Sequence, residues 1–195
     1  MADLEKLQKS LEAEGFAVSR FDTAAQAADY LDAVLDKKTI GIGGSVTIQE
    51  MALAERLGKH NQILWHWAES TAQEAAGAQI YLTSVNGAAE TGELINIDGT
   101  GNRVASGLFG HEKVYFIVGR NKVAPDYDAA LWRARNIAAP KNAQRLGRKT
   151  PCAAKGDRCY DCKSPERICR ALVVYWEKPN SMDMEVVLVD EDLGY

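Results

Sequence analysis

Amphipathic stretches of helical period alternate with short apolar runs through the amino-terminal half of the chain, and this alternation narrows the fold more than any other feature. Leu4, Leu7 and Leu11 recur at spacings of three and four, which predicts a helix over 3–13. Gly15 ends it, and 16–21 alternates as a short strand. Thr23 is placed to cap a second helix carrying the stripe Ala27, Tyr30, Leu31 and Leu35. Thr39 to Gly43 is an apolar strand running into a glycine turn, with a helix expected from Thr47 to Leu57. This order is the signature of an α/β domain built on an open, mostly parallel sheet flanked by helices.

The remainder continues the theme. Strands are expected at 62–66, 79–83, 93–97 and 113–118, with a short helix at 68–76. A strong helix over 126–138 should end or kink at Pro140, and 184–189 reads as a late strand returning to a sheet edge. The 195 residues fit one domain, 1–195, with the segment 147–170, rich in Lys, Arg, Gly, Pro and Cys, as an insert within it. A formal charge of −4 argues against nucleic acid as the main partner. The stretch Met1 to Leu7 does not read as a signal peptide, and no window approaches the roughly 20 apolar residues of a membrane span. A cytoplasmic protein with no membrane insertion is expected.

Two loops have the composition of ligand sites. In Gly41-Ile-Gly-Gly-Ser-Val-Thr47, between a strand and a helix, Gly43 and Gly44 allow backbone N–H groups to approach an anion, and the hydroxyls of Ser45 and Thr47 can cap the helix or donate to a carboxylate or phosphate. The same residues serve equally as a tight turn with an ordinary cap. The segment is neither a P-loop nor a dinucleotide fingerprint, so no flavin or nicotinamide motif is seen. The second loop, Ser84 to Arg103, gathers Asn86, Glu90, Asp98, Asn102 and Arg103 at strand ends, where open α/β sheets place ligands. Glu90 would act as base or nucleophile and Asn86 would orient the ligand. For Asp98 to Asn102, plain turn chemistry is the stronger alternative. Arg133 or Arg135 offers an anion clamp, set against a solvated helix face. His60 and His111 fall in loops that look exposed, and His66 sits between Trp65 and Trp67 in a structural setting; no hydrolase triad is visible. Trp65, Trp67 and Trp132 belong either to the core or to the face of a homo-oligomer.

Cys152, Cys159, Cys162 and Cys169 are the only cysteines and follow C-x6-C-x2-C-x6-C. In a chain without other cysteines such a cluster points to metal or redox chemistry rather than to a disulfide framework. Cys159-Tyr-Asp-Cys162 is a knuckle that can aim two thiolates at one metal, and Ser164-Pro165-Glu166 reads as the start of a helix carrying Cys169. Four thiolates suit Zn²⁺ or an iron–sulfur cluster, and the spacing does not choose between them. Free thiols, or a dithiol pair at Cys159 and Cys162, are the alternatives.

Taken together, Gly41 to Thr47, Asn86-Gly-Ala-Ala-Glu-Thr-Gly92, Asp98-Gly-Thr-Gly-Asn-Arg103 and Val118-Gly-Arg-Asn-Lys122 resemble the LUD-domain family, the lactate-utilisation proteins related to one component of a multi-protein lactate-oxidation system, and Arg135 to Asn142 and Pro151 to Cys169 resemble a stand-alone bacterial branch of it with a four-cysteine tail. The resemblance implies an open α/β sheet of the isomerase, CoA-transferase and initiation-factor 2B type. It implies an anion site at Gly43, Gly44 and Ser45, and an acidic site residue at Glu90. It also implies a part in oxidising lactate or a related organic acid, alongside other iron–sulfur subunits. The four-cysteine tail departs from that component of the system. Two other readings stand beside this one: an acyl or CoA transferase using Glu90, and a non-catalytic scaffold with a structural zinc.

Overall fold

The computed structural model describes residues 2–195. Its larger sheet has six strands, all parallel: β1 (Ala17–Phe21), β2 (Thr39–Ile42), β3 (Gln62–Trp65), β4 (Ile80–Thr83), β7 (Lys113–Gly119) and β10 (Asp183–Val189). Their spatial order is β1-β10-β7-β4-β2-β3. Parallel neighbours need crossovers, and the crossovers bury both faces of the sheet. On β7, Val114, Phe116 and Val118 face one layer while Tyr115 and Ile117 face the other. The first layer includes α1 (Leu4–Ala13) and α5 (Ala72–Ala76), and the second α2 (Ala24–Val34), α3 (Val46–Glu50) and α4 (Leu53–Leu57). The α5 helix packs so closely on β2 that a Cβ on Gly41 would run into the Ala75 carbonyl.

A second, four-stranded sheet lies on the first layer. It comprises β5 (Gly87–Ala89), β6 (Leu94–Asp98), β8 (Val123–Ala124) and β9 (Ala171–Tyr175), in the order β8-β5-β6-β9. A helix α6 (Asn102–Leu108) follows β6. The helical segments α7 (Tyr127–Arg133) and α8 (Ala139–Arg145) are joined by a π turn, Ala134–Ala138, and α9 (Pro151–Lys155) comes next. Among the described residues no helix is long and apolar enough to cross a membrane.

The expected fold class holds, with local corrections. The helix over 47–57 is broken at Ala52, whose left-handed backbone (φ 50°) ends α3 and redirects α4, so that Ile48, Leu53 and Leu57 are all fully buried. Pro140 neither ends nor breaks its helix. The widened π turn before it absorbs the missing N–H, with Ala139 N–H bonding back to Ala134. β10 lies between β1 and β7, not at an edge, and every residue from Met184 to Val189 is buried as an interior strand requires. Ser164 to Glu166 forms a single turn rather than a helix, because Arg170 N–H donates to Asp98 O (2.9 Å) and pulls the chain into β9.

At the amino end of β10, Glu185 is buried and accepts from Lys113 Nζ, Tyr30 Oη and Ser19 Oγ, each at 2.7 Å, tying together α2, β1, β7 and β10. Burial alone would push the Glu185 carboxyl up, but these three donors outweigh it and hold the group below the ordinary carboxylate value. Its stabilisation is therefore present at neutral pH and lost as pH falls through the folded value. In urea unfolding, Glu185→Gln should lose about 2–3 kcal/mol at neutral pH. The gap to wild type should shrink below roughly pH 4, where the wild-type carboxyl also protonates.

Candidate anion site and thiol cradle

Strand order reverses between β2 and β4: from β2 the chain moves outward to β3, and from β4 it moves the other way to β7. Open α/β sheets hold ligands beyond the carboxyl ends of the strands at such a point. A crevice of about 370 Å³ opens there, lined by Gly44, His66, Trp67, Asn86, Asp98, Asn102 and Arg103, and by Arg145, Arg148, Arg167 and Arg170. Five guanidiniums against two carboxylates, Asp98 and Glu166, give it a net positive lining in a chain that is acidic overall. Arg145 lies 4.6 Å over the Trp67 ring, and its guanidinium is held by Asn142 Oδ1 at 2.8 and 3.1 Å. Arg103 donates to Ile97 O at 2.6 Å and stands 3.3 Å from Asp98, whose other oxygen accepts the N–H groups of Thr100 and Gly101. Burial, then the charge on Arg103, push the His66 imidazole below its ordinary pKa, so it faces the crevice neutral. Its Nδ1 is buried and has no partner among the described residues.

The sequence candidates divide three ways. Gly44, Asn86, Asn102 and Arg103 line the crevice. Ser45 and Thr47 line a smaller chamber continuous with it, in which Ser45 accepts from Ile48 N–H as the cap of α3. Gly43 lies behind, its N–H committed to Leu82 O (3.0 Å), in a space where a Cβ would meet Tyr81, Arg103 and Thr83. Glu90 is elsewhere. Its carboxylate accepts from Asp3 N–H (2.9 Å) and Lys6 Nζ (3.3 Å), and Ser10 Oγ donates to its carbonyl (2.8 Å), so it anchors the start of α1. Asn86 Oδ1 is likewise engaged, by Ile97 N–H at 2.7 Å. The turn chemistry expected at Asp98 is present, and it leads into α6.

The arginine candidates are replaced by others. Arg133 is buried and spends its guanidinium on the carbonyls of Asn121, Asn86 and Tyr195; Arg135 pairs with Asp161 at 3.0 Å. His111 is not exposed: Nδ1 bonds Ala78 O at 2.7 Å, and the ring stacks on Tyr81. His60 bridges Asp32 and Asp36. Trp65 and Trp67 are half-buried, whereas Trp132 is exposed.

The residue missed from sequence is Lys122, on the 3₁₀ turn after β7. It is 4% exposed, lines the smaller chamber, and lies 2.8 Å from both Thr47 Oγ1 and Ser84 Oγ. A lysine flanked by Arg120 and Asn121 gives no periodic sign of burial; its place beyond the end of an apolar strand was the signal available.

All four cysteines line one small cavity, together with Thr150, Arg135, Arg167 and the apolar Ala139, Pro140, Ala143 and Ile168. Three of the sulfurs have polar neighbours: Asp161 N–H donates to Cys159 at 3.3 Å and Arg167 Nη2 to Cys169 at 3.5 Å, and Thr150 Oγ1 shares a hydrogen bond with Cys152 at 3.3 Å. The Cys159–Cys162 knuckle turns at Asp161 with φ 45°. Four cysteines with Arg135 and Arg167 beside them are residue types that a metal centre held by sulfur uses. Among the described residues no three Cys, His, Asp or Glu side chains draw together around a single ion.

Burial, then the charges of Arg133 and Arg103, push the Lys122 amine down to about 7, against the weaker pull of Glu50. The unfolded amine titrates near 10.4, so between these values the unfolded chain binds a proton that the folded chain does not, and stability rises with pH. Measured by urea unfolding, the stability of wild type relative to Lys122→Met should climb by up to about 1.4 kcal/mol per pH unit from roughly pH 7 to 9. A flat difference would mean a charged native amine.

Comparison with known proteins accords with this architecture. No curated protein matches the chain. A crystal structure of a DUF162 family protein from Deinococcus radiodurans superposes over 95% of each chain with a TM-score of 0.56 at 14% identity, a likeness of fold. Residues 4–189 match the LUD domain, and the chain belongs to the LUD-domain family.

Proposed function

We propose that this protein takes part in the oxidation of lactate or a related small organic acid, holding the carboxylate in the arginine-lined crevice and an iron–sulfur cluster in the four-cysteine cradle. The observation that carries this reading is the shared wall: Ala139, Arg167 and Ile168 line both spaces. Arg145, fixed by Asn142 and Trp67, and Arg103 would bind and orient the carboxylate. Arg167 reaches the Cys169 sulfur while bordering the crevice, so it would link the charge state of the cradle to that of the ligand. When bound, a cluster supplies one-electron redox capacity. We favour it over a single zinc because all four cysteines line one cavity that shares a wall with the crevice, where a redox centre would serve the oxidation. Electrons would pass to other iron–sulfur subunits. No observation favours an acyl transferase using Glu90, which is engaged by α1.

Protein purified without oxygen should carry about four irons with sulfide and absorb broadly at about 400 nm, and Cys159→Ser should lose most of both. Lactate or pyruvate should raise the melting temperature of wild type, and Arg145→Gln should abolish that shift. One zinc without colour would turn the cradle into a structural clip and favour a scaffold.

A further inference from the structure

Lys122 is unused in that reading, and its hydrogen bonds can be counted atom by atom. The Ser84 hydroxyl donates to Ile117 O at 2.6 Å, and the Thr47 hydroxyl is directed to Leu193 O at 3.3 Å. With their own protons so committed, both oxygens accept from Lys122 Nζ, at 2.8 Å each. A neutral amine has two N–H bonds, and both are spent. Its lone pair has no partner among the described residues, and the side chain is 4% exposed. Around it, Ser45, Thr47, Ser84 and Asn86 line the small chamber, which shares Gly44, Trp67, Asn86, Arg103 and Arg145 with the crevice. The chamber that holds Lys122 thus shares the walls that carry Arg103 and Arg145, the candidate partners of a carboxylate.

We propose that Lys122 is a reactive amine that captures the carbonyl carbon of a small 2-oxo carboxylate as a Schiff base. This rests on the reading of the crevice as a carboxylate site. The nitrogen lone pair forms the N–C bond while the C=O π pair moves to oxygen. That oxygen takes up the proton that the nitrogen gives up. Loss of water then leaves C=N, so amine and carbonyl become imine and water with no change in oxidation state. Burial and the neighbouring Arg133 and Arg103 charges favour the unprotonated amine that the first step needs.

The test is reductive trapping on the wild-type protein. After incubation with pyruvate and cyanoborohydride at about pH 7, intact mass should show one reduced adduct, and peptide mapping should place it on Lys122. Its labelling should run on the order of a hundredfold ahead of exposed lysines, whose amines are almost entirely protonated. Lactate, which has no carbonyl, should give no adduct and should slow trapping by pyruvate. The absence of an adduct, or labelling spread over surface lysines, overturns the proposal. Thermal shifts with lactate and pyruvate on the same samples separate the two ideas. A shift without an adduct removes the imine and leaves the carboxylate site; neither signal removes both.

Discussion

Each strand of a parallel sheet must be re-entered from the same end, so the chain crosses a face on every return and both faces are buried. Here that constraint places α2, α3 and α4 on one side, and α1, α5 and the smaller sheet on the other. It also leaves one gap. Where the crossovers diverge between β2 and β4, a crevice remains beyond the carboxyl ends of the strands, and Gly44, Ser84 and Lys122 line its inner chamber. The α5 helix can approach β2 only because Gly41 has no side chain, so the walls of the gap depend on a contact beneath it.

Charge in the crevice is a local matter. The molecule carries −4, yet the crevice gathers Arg103, Arg145, Arg148, Arg167 and Arg170 from α6, α8, the turn after α8 and the segment leading to β9. These come from stretches distant in sequence, and only the return of the chain through β9 brings the last two alongside the first. Long side chains held by neighbours, as Arg145 is by Asn142 and Trp67, lose less freedom on binding an anion than free ones would.

Periodicity made the large sheet legible, because strands such as β7 and β10 are apolar runs of the right length and the helices carry clear stripes. Of the smaller sheet only β6 was, as the strand expected at 93–97. β5 and β8 have three and two residues, too short for any period, and β9 follows directly on the stretch where a helix around Cys169 is expected from sequence. Gly44, Asn102, Arg103 and the cysteines were readable from residue type and spacing. Glu90 misled because a carboxylate amid glycines and polar residues looks the same whether it faces a ligand or the start of a helix. Lys122 was illegible because burial of a charge is decided by tertiary packing.

One arrangement in the tail has a thermodynamic consequence. Cys169 is followed within two residues by β9, whose register pairs Ala171 with Asp98, and the loop at Gly99 lies against Ile168 so closely that a Cβ there would come within 2.8 Å of its carbonyl. The thiols and the crevice loop are therefore one mechanical unit with no slack between them. Free energy gained by closing the cradle is shared with the loop that holds Asp98 and Arg103. In the proposed reading, linkage would make whatever orders the cysteines tighten the hold on the carboxylate, and an occupied crevice would steady the cradle in the same proportion.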